Sequence, residues 1–169
     1  TLHQGFELMA RGSARDAGWV DSGDDLYARL SVTYLMDASF EGARFSGVPG
    51  FGAVSVAGNR LPYAPEWFWS AAVGYEFGDW LQAEIEAQYT GEMFTDDLNT
   101  IPTIANGQRG LIEDVLVWNA TANADIPGTR LGLFVTGRNL TDELYVVDRS
   151  RGILPGNKRS FQAGLTYAF

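Results

Sequence analysis

Ser160-Phe161-Gln162-Ala163-Gly164-Leu165-Thr166-Tyr167-Ala168-Phe169 closes the chain, and its alternation decides the fold. Successive side chains of a strand point to opposite faces. Phe161, Ala163, Leu165, Tyr167 and Phe169 therefore share one face, and Gln162, Gly164, Thr166 and Ala168 the other. Chain ends of soluble domains are usually loose and polar, so an apolar stripe that runs into a terminal aromatic is out of place there. In a transmembrane β-barrel the stripe meets lipid, the opposite face meets a polar lumen, and the last rings lie at the membrane–water interface. An edge strand of a soluble sandwich is the competing expectation.

The same period recurs upstream. Leu81, Ala83, Ile85, Ala87 and Tyr89 alternate with Gln82, Glu84, Glu86 and Gln88, a run of four polar or charged positions that a dry core would penalise. That face must be wet. Leu116, Trp118, Ala120, Ala122, Ala124 and Ile126 likewise oppose the largely polar set Val117, Asn119, Thr121, Asn123 and Asp125. Further strands are expected from about Phe6 to Ala14, from Leu26 to about Phe40, from Trp67 to Phe77, and from Leu131 through Asn139 towards Tyr145, which with the terminal strand makes seven.

The connections alternate in length. Asp16 to Asp25 is moderate, while Phe77-Gly78-Asp79-Trp80 and Pro127-Gly128 are tight turns. Residues 41–65, 94–113 and 146–159 form long stretches rich in Gly, Pro, Asn and Asp. Sorting of short turns to one side and long loops to the other is what an outer membrane imposes on antiparallel strands. Trp67 and Trp69 fall near one rim and Phe77, Trp80, Tyr167 and Phe169 near the other, where rings with an apolar body and a polar tip favour the interface.

Composition narrows the partners. A formal charge of −9 over 169 residues leaves no basic patch for nucleic acid, and the absence of cysteine removes disulfide and thiolate chemistry. Mean hydropathy near zero, with 20 glycines and no run of about 18 apolar residues, rules out a helical span. A single histidine, His3, gives no basis for catalysis. Glu84 and Glu86 read as a hydrated wall rather than an acid–base pair. Asp96, Asp97 and Asn99 lack the regular spacing of a calcium loop and read as a solvated loop. No cofactor or metal is expected.

Four blocks, in order, resemble TonB-dependent outer-membrane receptors. They are Gly58-Asn-Arg-Leu-Pro-Tyr-Ala-Pro65, Tyr89-Thr-Gly-Glu-Met-Phe-Thr-Asp-Asp-Leu-Asn-Thr100, Gly137-Arg-Asn-Leu-Thr-Asp-Glu-Leu-Tyr145, and Gly156-Asn-Lys-Arg-Ser-Phe161 with the strand ending at Phe169. The resemblance implies an all-β fold: an antiparallel transmembrane β-barrel segment of about seven strands, the C-terminal portion of a 22-stranded barrel. On this expectation residues 1–169 are one C-terminal part of that barrel, and the plug domain with its TonB-contacting box lies outside the chain. The start at Thr1, without an initiator Met or leader, fits such a fragment. Seven strands alone would leave two unpaired edges in lipid.

The resemblance further implies the outer membrane of a Gram-negative bacterium and energised uptake of a ferric siderophore or similar iron chelate through the TonB complex. It also implies insertion by the barrel-assembly machinery, which reads the terminal strand. Arg149-Ser-Arg-Gly-Ile-Leu154 and Gly107-Gln-Arg-Gly-Leu111 resemble, more loosely, the ferric citrate branch. Anionic chelates need cationic donors, so Arg109, Arg149 and Arg151 are the expected ligand-binding residues, with Arg44 and Arg60 behind them. Pairing of these arginines with Asp148 or Glu113 is the alternative. A passive outer-membrane barrel, or uptake of cobalamin or oligosaccharide, are the alternative functions.

Overall fold

A computed structural model describes residues 1–20 and 23–169. The chain folds into β1 (Leu2–Ser13), β2 (Asp24–Ser39), β3 (Trp67–Phe77), β4 (Leu81–Thr90), β5 (Val115–Asp125), β6 (Leu131–Arg138), β7 (Val146–Asp148), β8 (Leu154–Pro155) and β9 (Ser160–Tyr167). Seven strands form one antiparallel sheet in the order β1-β2-β3-β4-β5-β6-β9, with β1 and β9 at its edges.

Register keeps the two faces separate across the whole sheet. Gly12, Ala28, Val73, Ile85, Ala120, Gly137 and Phe161 form one apolar row that crosses all seven strands. One position along, Ser13, Tyr27, Gly74, Glu84, Thr121, Thr136 and Gln162 form a mostly polar row on the other face. A slip of one residue at any ladder would mix them. Among the described residues nothing packs on the apolar face: Val73, Ile85, Val135 and Leu165 are 51%, 45%, 51% and 62% exposed. A continuous uncovered apolar band on a sheet is the surface of a membrane barrel, not of a sandwich, which would bury it against a second sheet. No helix is long and apolar enough to cross a membrane among the described residues.

The polar face is built around two glycines. A Cβ on Gly74 would stand 2.2 Å from the Tyr27 ring, and one on Gly164 would stand 2.2 Å from the Phe134 ring. Each glycine lets an aromatic lie flat on the neighbouring strand. Flattened in this way, Tyr27 donates from its hydroxyl to Glu84 Oε2 at 2.9 Å, and the Arg29 guanidinium closes on the same carboxylate. Glu84 is thus neutralised within the wall, which agrees with its reading as lining rather than as an acid–base group.

Two expectations need correction. The sixth strand ends at Arg138 instead of running to Tyr145, because Asn139 and Asp142 adopt positive φ (50° and 56°). The Asn139 amide, 2% exposed, donates to the carbonyls of Glu143 and Asn157, and its Oδ1 accepts from Glu143 N. Asp142 Oδ1 accepts from Arg159 N, and Gly156 leaves room for the Tyr145 ring. The Gly137–Tyr145 and Gly156–Phe161 blocks are therefore two halves of one lock that returns the chain into β9. The third long connection is not irregular throughout either, since it holds the β7–β8 hairpin.

Candidate functional site

Antiparallel pairing places residues 40–66, 91–114 and 139–159 at the same end of the sheet, and the tight turns at the other. The three long connections are fastened into one crown. Asp97 accepts from Ser46 Oγ at 2.7 Å and from Gly47 N at 2.6 Å, and its carbonyl accepts from Asn59 Nδ2 at 2.8 Å. Asn99 pairs reciprocally with the Arg60 backbone, accepting from its N–H and donating to its carbonyl, both at 2.8 Å. Asp96 is only 6% exposed, and its Oδ1 holds Leu98 N and Thr100. These residues fasten the second loop to the first, which corrects the reading of Asp96 and Asp97 as solvated. Asp96 Oδ1 and both Asp97 carboxylate oxygens are committed to backbone and hydroxyl donors, Asp96 Oδ2 is buried without a partner, and among the described residues no group of three side chains could hold a metal.

Tyr63 joins all three loops. Its backbone N–H donates to Phe94 O, its hydroxyl donates to Asp148 Oδ1 at 2.6 Å, and its hydroxyl oxygen accepts from Arg149 N at 3.2 Å. Burial and the adjacent carboxylate raise the Tyr63 phenol above its usual range. Asp148 is held down to about 2, first by the Ser150 hydroxyl and then by Tyr63.

The five candidate arginines stand in different surroundings. Arg149 is 8% exposed, with a single long bond from Nη1 to Gly107 O at 3.4 Å. Arg109 lies over the Phe51 ring, 5.7 Å from its centroid. Arg151 and Arg44 are exposed. Arg60 is occupied by the carbonyls of Ala64 and Leu35 and by Glu66. Neither Asp148 nor Glu113 forms an ion pair with Arg149, since Asp148 is taken by Tyr63 and Ser150. Arg149 lines a cavity of about 330 Å³ between the second and third loops, together with Ile101, Leu111, Glu113 and Glu143.

The expected interfacial aromatics fall into two groups on the apolar face. Tyr34 stacks on Trp67 at 4.2 Å and Trp69 on Tyr89 at 5.5 Å at the loop end. Phe77 meets Trp80 edge-on at 5.7 Å, and Tyr167 meets Phe169 at 5.4 Å, at the turn end.

An apolar band between two aromatic groups, polar on the reverse and crowned on one side, agrees with the family match: the TonB dependent receptor-like β-barrel model fits residues 1–140. The chain belongs to the TonB-dependent receptor β-barrel family. Its sheet is accordingly part of the wall of an outer-membrane barrel. Among solved structures, the unliganded ferric citrate transporter FecA superposes with a TM-score of 0.70 at 21% identity, over 96% of this chain and 24% of that one. The siderophore receptor PiuA from Acinetobacter baumannii gives 0.69 at 19% identity, over 95% and 21%. The ferric-catecholate import receptor Fiu from K12 E. coli gives 0.58 at 18%, over 96% and 20%. The chain spans about a quarter or less of each. The family is one of receptors, not of enzymes.

Sequence reasoning missed Tyr63 and the Asp97–Ser46 pair as architectural residues. Asn99 and Asn139 carried a usable signal, because Asn tolerates the left-handed conformation and satisfies nearby backbone. Tyr63, at φ 56°, carried none.

Proposed function

We propose that this chain is the C-terminal wall and part of the extracellular crown of a receptor that takes up a ferric siderophore or similar iron chelate, driven through the TonB complex. It works by binding and gating rather than by covalent chemistry. The observation that carries the reading is the crown itself: three loops tied together over a lipid-facing wall, in a chain of this family. The siderophore and ferric citrate transport named for the superposing structures supports the choice of cargo.

Within this reading Arg149, Arg109 and Arg151 remain the cationic residues offered to ligand, the aromatics at Trp67, Trp69, Trp80, Tyr167 and Phe169 sit at the two membrane interfaces, and β9 is what the barrel-assembly machinery engages. The plug and the remaining strands belong to the rest of the 22-stranded receptor. The test is accumulation of radioactive iron under iron limitation in cells with and without the intact receptor, each with and without TonB. Receptor- and TonB-dependent accumulation is expected; accumulation indifferent to TonB would convert the reading to a passive barrel.

A further inference from the structure

The cavity between the second and third loops carries charges of both signs, and no two of them form an ion pair. Arg149 is 8% exposed, yet it belongs to none of the ion pairs among the described residues, and its buried Nε has no acceptor. Holding a guanidinium out of water without a counter-ion is costly, so this position is prepared for an anion. Around it stand Glu113, Asp114 and Glu143, all exposed and all absent from those ion pairs, with the Asp114 carboxylate hydrogen-bonded to Tyr89 and those of Glu113 and Glu143 left at the rim. The aliphatic side chains of Leu111 and Val146 complete the wall.

An occupant bearing only negative charge would meet one buried cation but also the rim carboxylates of Glu113 and Glu143, whose repulsion offsets part of what Arg149 returns. One bearing only positive charge would leave Arg149 buried and unpaired. The charge pattern fits an occupant with both: an anionic oxygen inward on the guanidinium and an ammonium outward at the acidic rim.

We infer that this cavity binds a zwitterion, a short aliphatic chain with a carboxylate at one end and an ammonium at the other, as a free molecule or as the end of a larger chelate. The inference rests on the uptake reading only for its biological setting. It also turns the expected ligand away from polyanionic chelates of the ferric citrate type.

The experiment is calorimetric titration of the intact receptor in detergent with three probes of matched length: 5-aminovalerate, valerate and pentylamine. The zwitterion should bind roughly tenfold more tightly than either half, a preference that each charge pair is large enough to supply. Arg149→Met should abolish the advantage over pentylamine. Glu143→Gln, a change at an exposed residue that leaves the loop lock intact, should reduce the advantage over valerate several-fold. Valerate binding as tightly as the zwitterion would make the site a plain anion site and overturn the inference, as would failure of all three probes at millimolar concentration. Iron accumulation is read separately: uptake without probe binding removes this inference alone, and probe binding without uptake removes the proposed function alone.

Discussion

The Tyr63 hydroxyl donates to Asp148 Oδ1 across 2.6 Å, joining positions 85 apart in the chain. Because Tyr63 also donates its backbone N–H to Phe94 O, one residue in the first long loop touches both of the others. Loops of this length ordinarily move independently. Here one residue is bonded to both of the other loops, so the three are held together.

Tyr63→Phe keeps the ring and removes the hydroxyl. Hydrogen exchange of amides in residues 146–153 should accelerate roughly tenfold, with the barrel strands unchanged. Equal exchange in the two proteins would show that the loops are held together without this bond.

The same contact sets an acid limit. The folded pKa of Asp148 is depressed from 3.8 to about 2, so its contribution is complete above the unfolded value and is lost as pH falls through about 2. Digestion by pepsin should therefore leave the third loop intact at pH 4 and cut it as pH approaches 2. Ser150→Ala, which removes the largest cause of the depression, should move the onset of cutting to higher pH. Tyr63 has the opposite sign: its phenol is raised, so the contact is present below its ordinary pKa and is lost only as pH rises beyond it.

Asn139→Ala removes the side chain that satisfies Glu143 N, Glu143 O and Asn157 O at a buried position. It also places a residue less tolerant of positive φ at that point. A loss of about 2–4 kcal/mol is expected. It should appear as a lower temperature for the heat-dependent gel shift of the folded barrel. Asn139→Asp, which keeps the acceptor for Glu143 N but turns a buried carboxylate oxygen on the carbonyls of Glu143 and Asn157, should cost at least as much as Asn139→Ala.

Gly74→Ala drives a methyl into the Tyr27 ring and breaks its bond to Glu84. The cost should be about 1–3 kcal/mol. Since the clash and the lost bond share one partner, Tyr27→Ala should cost much less in the Gly74→Ala background than alone, as a double-mutant cycle of unfolding would show. Additive losses would mean that Tyr27 does not depend on the space above Gly74.

Ile85→Arg and Gln162→Arg test the two faces. Ile85 lies at mid-strand in the apolar row and Gln162 in the polar row. Arginine at the lipid face should cost about 2–4 kcal/mol and at the lumen face close to nothing. Urea unfolding from lipid vesicles measures both, and equal costs would contradict the assignment of faces.

The strands were legible in sequence because each records its environment directly. A period of two with Glu84, Glu86 and Gln88 on one side and Ile85 and Tyr89 on the other can only be a sheet wet on one face. The two long connections flanking the β3–β4 hairpin were visible as well, through their Gly, Pro and Asn content. The end of β6 was missed because Asn139 can continue a strand or leave it. The choice was made by Asn157, eighteen positions later.

What the chain carries in its sequence alone, then, is the fold class, the number of strands in the main sheet, which face of each is apolar, and the family. These follow from local alternation and from short blocks, and need no partner to be read. The tertiary structure decided everything that depends on pairs distant in sequence. It fixed the register that aligns the apolar rows, the aromatic rings lying over Gly74 and Gly164, and the fastening of three loops through Tyr63, Asp97 and Asn99. It also fixed the burial of Arg149 beside carboxylates it does not touch. A hydrogen bond or an unmatched charge is a property of two groups at a given separation, and separation is set only when the chain has folded.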